Sequence, residues 1–427
     1  MPHPLLFGAA LAAVLGGAVP AVAATSSDRL APALAVSQFY AARSEPLWLR
    51  SPAAIQTLVS ALRTAPIDGF NDGPELGRSI DAALADAKAG VPGASQEAER
   101  LLSSGLVLYT QALRWPGRSR IIYADPSLAP KVPTPTEVLT QAAAASDLAA
   151  FVRQTVEVNP IHAALRAAAT DQLDFLGQPS PALKGSLERA RLLPSNGRFV
   201  LVDIASQELM MIDHGRVEDR MKVVVGKPDM KTPLMAGTLR QVTFNPYWNV
   251  PVDLVQKTIA ANVLRSGLSY LAQRNYEVLS GWTADATVID PATVDWQAVA
   301  DGRAEARVRQ RPGKGNMMGA MKFEFPNELG IYLHDTPQRE LFGKDARTFS
   351  SGCVRLEDAA RLGRWLLGRE PVAASSQPEL NVALGKGVPV FLTYLTVRPE
   401  ADGTLASAPD VYGLDGQPAT ELATLQR

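Results

Sequence analysis

Leu193-Pro194-Ser195-Asn196-Gly197, followed by Arg198-Phe199-Val200-Leu201-Val202-Asp203-Ile204, is where the chain changes character. Pro, Ser, Asn and Gly in succession punctuate a chain. The run behind them is short, apolar and rich in β-branched residues, as a strand requires. Two more such runs follow, Glu208-Leu209-Met210-Met211-Ile212 and Arg220-Met221-Lys222-Val223-Val224-Val225. Asp213-His214-Gly215-Arg216 between them has the length and the Gly of a tight hairpin connection. Further strands are expected over 241–244, 321–325, 330–333 and 388–395. One helix is expected over 357–367, where Leu362, Trp365 and Leu366 form an apolar face.

Upstream of the break the texture is helical. Ile55, Leu58, Val59 and Leu62 recur at helical spacing, as do Leu101, Leu102, Leu106 and Tyr109, and Leu148, Phe151, Val152 and Val156. Pro and Gly clusters at 66–73, 90–93 and 126–135 separate these segments. The expected fold class is α+β: a mostly helical N-terminal scaffold domain over 25–194, then a β-rich domain over 195–415, with 416–427 as a tail.

Composition narrows the function. Lys plus Arg number 42 and Asp plus Glu 43, so the 427-residue chain lacks the basic excess of a general nucleic-acid binder. A single Cys excludes an intramolecular disulfide and any multi-thiolate metal site. No metal or cofactor is expected. Residues 5–22 are apolar and end in Ala21-Val22-Ala23-Ala24, the pattern of a secretory signal peptide over 1–24. An uncleaved anchor helix is the alternative. No Cys follows to carry a lipid, and no later run of about twenty apolar residues exists, so no stable membrane insertion is expected after cleavage.

The chemistry concentrates in Gly330-Ile331-Tyr332-Leu333-His334-Asp335-Thr336-Pro337 and Thr348-Phe349-Ser350-Ser351-Gly352-Cys353-Val354-Arg355. Cys353 follows a Ser-Ser-Gly turn and precedes the expected helix at Glu357, whose N-terminal amides, with Arg355, would favour the thiolate. His334 ends a strand and could take the thiol proton. Two bland readings compete: a lone Cys is often inert core, and a lone His is more often structural. From the residues alone the pair is a candidate dyad for acyl transfer, without a substrate.

These motifs resemble the L,D-transpeptidases, the YkuD catalytic domain family, and most closely its YcbB-like branch. The family pattern is a His, a spacer, then Ser/Thr-His-Gly-Cys, an apolar residue and Arg or Asn. Here it stands as His334, eighteen residues, then Cys353 within Ser350-Ser351-Gly352-Cys353-Val354-Arg355. Ser351 replaces the second His, a form the YcbB-like branch shares. Thr232-Pro233 and Phe244-Asn245-Pro246-Tyr247-Trp248-Asn249-Val250-Pro251 extend the resemblance. The helical sequence runs to Leu193 without room for the small peptidoglycan-binding insert often seen in that branch.

The resemblance implies a periplasmic enzyme of peptidoglycan crosslinking. Cys353 would attack the L-D peptide bond of a stem peptide and expel D-Ala, with His334 as base. Asp335 would orient His334 by main chain or side chain. The amides of Gly352 and Cys353 would form the oxyanion hole. Arg355, Tyr332, Trp248 and Ser351 are the expected substrate-binding residues; salt bridging for Arg355, and core packing for Tyr332 and Trp248, are the alternatives. Stem peptides are the implied partner, with cell-wall synthesis proteins as further candidates. Carboxypeptidase, exchange or lipoprotein-attachment chemistry would use the same acyl-enzyme. A non-catalytic wall-binding scaffold is the reading from outside enzymology. Residues 268–318, with Arg307, Arg309 and Arg311 at strand period, are expected either to cap the cleft or to form a plain edge hairpin.

Overall fold

The computed structural model of the chain describes residues 26–115, 121–283 and 285–416. The expected signal peptide and nearly all of the C-terminal tail lie outside the described residues.

The helical half contains α1 (Ser26–Ala41), α2 (Pro52–Arg63), α3 (Gly73–Lys88), α4 (Ala94–Arg114), the short strand β1 (Ile122–Tyr123), α5 (Pro135–Ala144), α6 (Leu148–Glu157), α7 (Pro160–Leu176) and α8 (Pro181–Ala190). Polar side chains start these helices by accepting orphan amides: Ser51 from Ala54, Asp147 from Ala150, Asn159 from His162 and Ser180 from Leu183. Thr134 and Glu137 form a reciprocal capping box. Leu58, Leu62, Ile80, Leu102 and Leu106 meet in one core. Glu99 is buried beside it, and its carboxylate accepts the amides of Leu47, Trp48 and Leu49 at 2.8–2.9 Å and the Tyr40 hydroxyl at 2.8 Å. Those bonds fix the α1–α2 connection and place Trp48 in the core.

The β-rich half runs through β2 (Phe199–Asp203), β3 (Glu208–Asp213), β4 (Arg216–Gly226), β5 (Met235–Phe244), β6 (Trp248–Asn249), β7 (Tyr276–Leu279), β8 (Val288–Ile289), β9 (Arg307–Gln310), β10 (Met321–Glu324), β11 (Tyr332–His334), β12 (Thr348–Ser350), β13 (Val354–Leu356), β14 (Leu380–Thr393), β15 (Val397–Pro399) and β16 (Leu405–Ser407). The main sheet has the order β5-β10-β11-β13-β4-β3-β2-β14, and β14 pairs with β5 again, so the sheet closes on itself. Closure protects the edges. Val200, Leu201, Val202, Leu239, Phe323, Leu333 and Val354 fill the interior. His214 and Gly215 at the β3–β4 turn both have positive φ, 48° and 77°, as a primed two-residue hairpin turn demands.

The break in sequence texture near 195 is not a break in contacts. β1, from the helical half, pairs with β5 of the main sheet. Leu165, Leu183 and Leu187 of α7 and α8 pack with Leu395. Arg189 forms a salt bridge of 2.7 Å to Asp415. Helical half and sheet therefore share interior surface.

The region expected either to cap the cleft or to be an edge hairpin has its own core, which excludes the plain edge hairpin. Strands β6, β9, β7 and β8 form a separate sheet covered by short helices, and Val250, Val255, Ile259, Val278, Trp296 and Val308 pack together beneath them. It extends from Trp248 to Gln310, starting well before the expected 268. Arg307 and Arg309 alternate with buried Val308 and Gln310 along β9, and Arg309 pairs with Glu277 across the sheet at 2.8 Å.

One helix boundary differs with consequence. The expected helix at 357 begins at Ala359, capped by Asp358, and β13 intervenes between Cys353 and that helix. Its amides therefore do not face the thiol.

Candidate active site

β11 and β13 run parallel, with Leu333 opposite Val354 and His334 opposite Arg355. Leu333 and Val354 point into the core and are fully buried. Alternation then places Tyr332, His334 and Arg355 on the other face, joined by Cys353 just before β13. Cys353 and His334 are diagonal neighbours across adjacent strands, which lie about 4.8 Å apart.

His334 is buried. Its Nδ1 lies 2.5 Å from the main-chain oxygen of Asp335. A carbonyl only accepts, so Nδ1 carries the proton and Nε2 keeps its lone pair. Burial pushes the imidazole pKa down to about 3, the Arg355 charge adds to that, and the Asp335 carbonyl opposes it. The ring is neutral at pH 7. Asp335 thus orients His334 through its main chain. Its carboxylate is engaged elsewhere, accepting the Ala320 amide at 2.8 Å and pairing with Arg339.

Cys353 donates its thiol to the Gly330 carbonyl at 3.5 Å. Burial pushes the thiol pKa up; the Tyr332 amide and the Arg355 charge pull it back only in part. The expected thiolate, supported by helix amides, is therefore corrected to a neutral thiol. Arg355 hydrogen-bonds the side-chain oxygen of Gln338 at 2.5 Å, a neutral partner in place of the carboxylate that the salt-bridge alternative required.

Gly352 has φ 114°, a conformation reserved for glycine, and a Cβ there would lie 3.3 Å from Ile331 Cδ1. Its amide donates to Ser350 Oγ at 3.2 Å, so the oxyanion contribution expected from Gly352 is already committed within the turn. Two residues that sequence reasoning left without a role hold this turn. Ser350 Oγ donates to the Cys353 carbonyl at 2.5 Å, and Thr232 Oγ1 donates to the Gly352 carbonyl at 2.7 Å. The Thr232-Pro233 run was the available signal.

The remaining residues separate into two groups. Tyr332 is half-buried on the Cys353 face, and Ser351 is exposed beside the turn. Trp248 is half-buried in the four-stranded sheet, its ring 6.4 Å from that of Tyr276, and it packs against that sheet's core. Its strand, β6, pairs with β9 in the smaller sheet.

Residues 197–390 match the family model of the L,D-transpeptidase catalytic domain, YkuD, and residues 34–168 match that of a scaffold domain. A protein of Haemophilus influenzae named "Putative L,D-transpeptidase" is 33% identical over 237 residues, 54% of this chain and 47% of that protein. The chain thus matches about half the length of this curated relative. Among solved structures, an L,D-transpeptidase from Mycobacterium smegmatis aligns at 12% identity over 47% of this chain and 60% of that one, with a TM-score of 0.24. The carbamoyl enzyme of Ldtfm with avibactam aligns at 13% identity over 47% of this chain and 50% of that one, with a TM-score of 0.23.

Proposed function

Because residues 197–390 match the L,D-transpeptidase catalytic domain model and residues 34–168 that of a scaffold domain, we propose that the chain is a cysteine-dependent transpeptidase of peptidoglycan stem peptides. The observation that carries this reading is the shared face of Cys353 and His334, with His334 Nδ1 bonded to the Asp335 carbonyl and Nε2 left as the base.

The reaction begins from a neutral pair. A stem tetrapeptide presents the carbonyl of its third residue to Cys353. His334 Nε2 removes the thiol proton as sulfur attacks, so the thiolate forms only with substrate in place. The oxyanion is met by the Cys353 main-chain amide. Collapse breaks the L-D bond, the His334 proton passes to the departing D-Ala amine, and a thioester remains. The amine of a second stem's third residue attacks it, His334 takes that proton, and a 3-3 crosslink forms. Arg355 supplies positive charge beside both reacting groups, which lowers the thiol and imidazole pKa values together. The cap over 248–310 acts as a lid that excludes water from the thioester. Action in the periplasm follows from the signal segment read in the sequence.

The test is incubation of the protein with disaccharide tetrapeptide, followed by mass spectrometry. A crosslinked dimer with loss of D-Ala, absent in Cys353→Ala, is expected. Loss of D-Ala without dimer would indicate hydrolysis or exchange. No reaction and no acylation of Cys353 would return the chain to a wall-binding scaffold.

A further inference from the structure

The turn that carries Cys353 is braced by residues far from it in sequence. The segment after β16 brings Tyr412 into the core of the main sheet, where it is 4% exposed. The Tyr412 hydroxyl donates to the Gly226 carbonyl at 2.6 Å and accepts the Thr232 amide at 3.1 Å. Thr232, also buried, repeats the pattern one step nearer the nucleophile. Its Oγ1 accepts the Gly226 amide at 2.9 Å and donates to the Gly352 carbonyl at 2.7 Å. Each hydroxyl has one proton and a carbonyl only accepts, so the direction of every bond in this relay is fixed.

Tyr412 is itself firmly seated. Its ring stacks on that of Tyr394, with 5.6 Å between centres and 12° between planes. Its amide donates to the Tyr394 hydroxyl at 2.9 Å, which donates in turn to Asp410 at 2.7 Å. The Asp410 carboxylate also accepts the amides of Leu414 and Asp415, at 2.8 and 2.9 Å. The Tyr412 carbonyl accepts from Lys231 Nζ at 2.9 Å.

The bond from Thr232 to Gly352 has a consequence for the next amide. The Gly352 carbonyl and the Cys353 N–H belong to one peptide group. Among the described residues no peptide bond is cis, so the two point in opposite directions. Glycine tolerates many orientations of that plane, and the bond from Thr232 selects one. It turns the Cys353 amide away from buried Thr232. The Gly352 amide is committed to Ser350, which leaves the Cys353 amide as the donor this turn can offer an oxyanion.

We propose that Thr232 and Tyr412 are positioning residues for acyl transfer: Thr232 aims the Cys353 amide at the oxyanion, and Tyr412 holds Thr232 in place. The inference rests on Cys353 attacking an acyl carbon. Both residues are buried and act through the turn. Their role is separate from activating the thiol. Acylation builds negative charge on a carbonyl oxygen, whereas alkylation by iodoacetamide expels iodide and builds none there.

The experiment compares the full chain with its Thr232→Val, Thr232→Ser and Tyr412→Phe variants in two reactions of Cys353. One is acetylation by p-nitrophenyl acetate, followed by nitrophenolate release and corrected with Cys353→Ala. The other is alkylation by iodoacetamide. Thr232→Val is expected to slow acetylation at least about tenfold, toward the roughly hundredfold to thousandfold loss of an entire oxyanion donor. Tyr412→Phe, one step further away, is expected to slow it about three- to tenfold. Thr232→Ser keeps Oγ and should stay within about twofold of the parent, and alkylation should stay within about twofold in all three. Acetylation at the parent rate in Thr232→Val overturns the inference, as does the absence of Cys353-dependent acetylation in the parent. Acetylation and alkylation slowed alike also overturn it, because a turn that is merely loosened gives that result. Acetylation at the parent rate in Tyr412→Phe alone overturns the part assigned to Tyr412. Disaccharide tetrapeptide is run alongside. A parent that takes the acetyl group but not the stem acyl group removes the transpeptidase reading, while the acetylation rates still decide the positioning role. Stem acylation equal in the parent and Thr232→Val leaves that reading and removes the inference.

Discussion

The resting state of the Cys353–His334 pair gives the sharpest prediction. The perturbation is pH, and the readout is alkylation of Cys353 by iodoacetamide, the only thiol in the chain. An ordinary thiol of pKa 9.0 is about one part in a hundred thiolate at pH 7. Burial raises Cys353 above that value, so its thiolate fraction at pH 7 falls below about one in a hundred. His334, held down to about 3, is neutral throughout the working range and cannot supply an imidazolium to stabilise a thiolate. The alkylation rate should therefore rise about tenfold per pH unit from 6 to 9. It should show no plateau below 9 and no step near 6.5, and His334→Gln should change it little. Refutation would be a plateau with an apparent pKa below 7, which His334→Gln abolishes. That profile belongs to a thiolate–imidazolium pair and would mean the burial argument is wrong.

Other predictions follow from named contacts. The folded pKa of His334, about 3, lies below its ordinary 6.5, so the stabilisation from keeping the ring neutral is complete above 6.5 and fades as pH falls toward 3. Urea denaturation at pH 7 and pH 4 should show an acid loss of about 3 kcal/mol, largely absent in His334→Gln. Glu99→Ala strands the amides of Leu47, Trp48 and Leu49, and thermal unfolding should register a loss of about 3–5 kcal/mol in the helical half. Gly352→Ala forces a Cβ at φ 114°; it should cost about 1–3 kcal/mol in stability, and a turnover assay should find its transpeptidase rate reduced at least tenfold. Replacing 251–307 with a short linker should leave the closed sheet folded by circular dichroism, because the cap has its own core. The ratio of hydrolysis to crosslinking should rise, and an unchanged ratio would remove the lid.

Much of this was legible because local composition and burial agreed. The strands around Phe199–Asp203 and Glu208–Asp213 lie near the expected limits, since their apolar runs are fully interior. The His334-to-Cys353 motif identified the face, and period-two alternation explains why Leu333 and Val354 point inward. What the sequence concealed came from long-range pairing. β1 sits among helical segments and is too short to be recognised, and only β5 makes it a strand. The three residues of β13 were read as a helix approach because Gly352 and the apolar helix at Leu362 flank them. That misreading also misassigned the electrostatics of Cys353. The commitment of the Gly352 amide to Ser350 depends on turn geometry that no spacing encodes. The salt-bridged cluster of Glu324, Lys322 and Glu379 joins positions 57 residues apart at its widest, and their meeting is set by β5, β10 and the start of β14.

The central claim is that Cys353 becomes acylated by a stem peptide with His334 as its base. The most direct measurement is the intact mass of the protein after brief exposure to disaccharide tetrapeptide, for the unmodified chain, Cys353→Ala and His334→Gln. The account predicts a mass increase equal to the disaccharide tetrapeptide less D-Ala on the unmodified chain, none on Cys353→Ala, and an adduct forming at least about a hundredfold more slowly on His334→Gln. An adduct that persists in Cys353→Ala, or forms at full rate in His334→Gln, would contradict it.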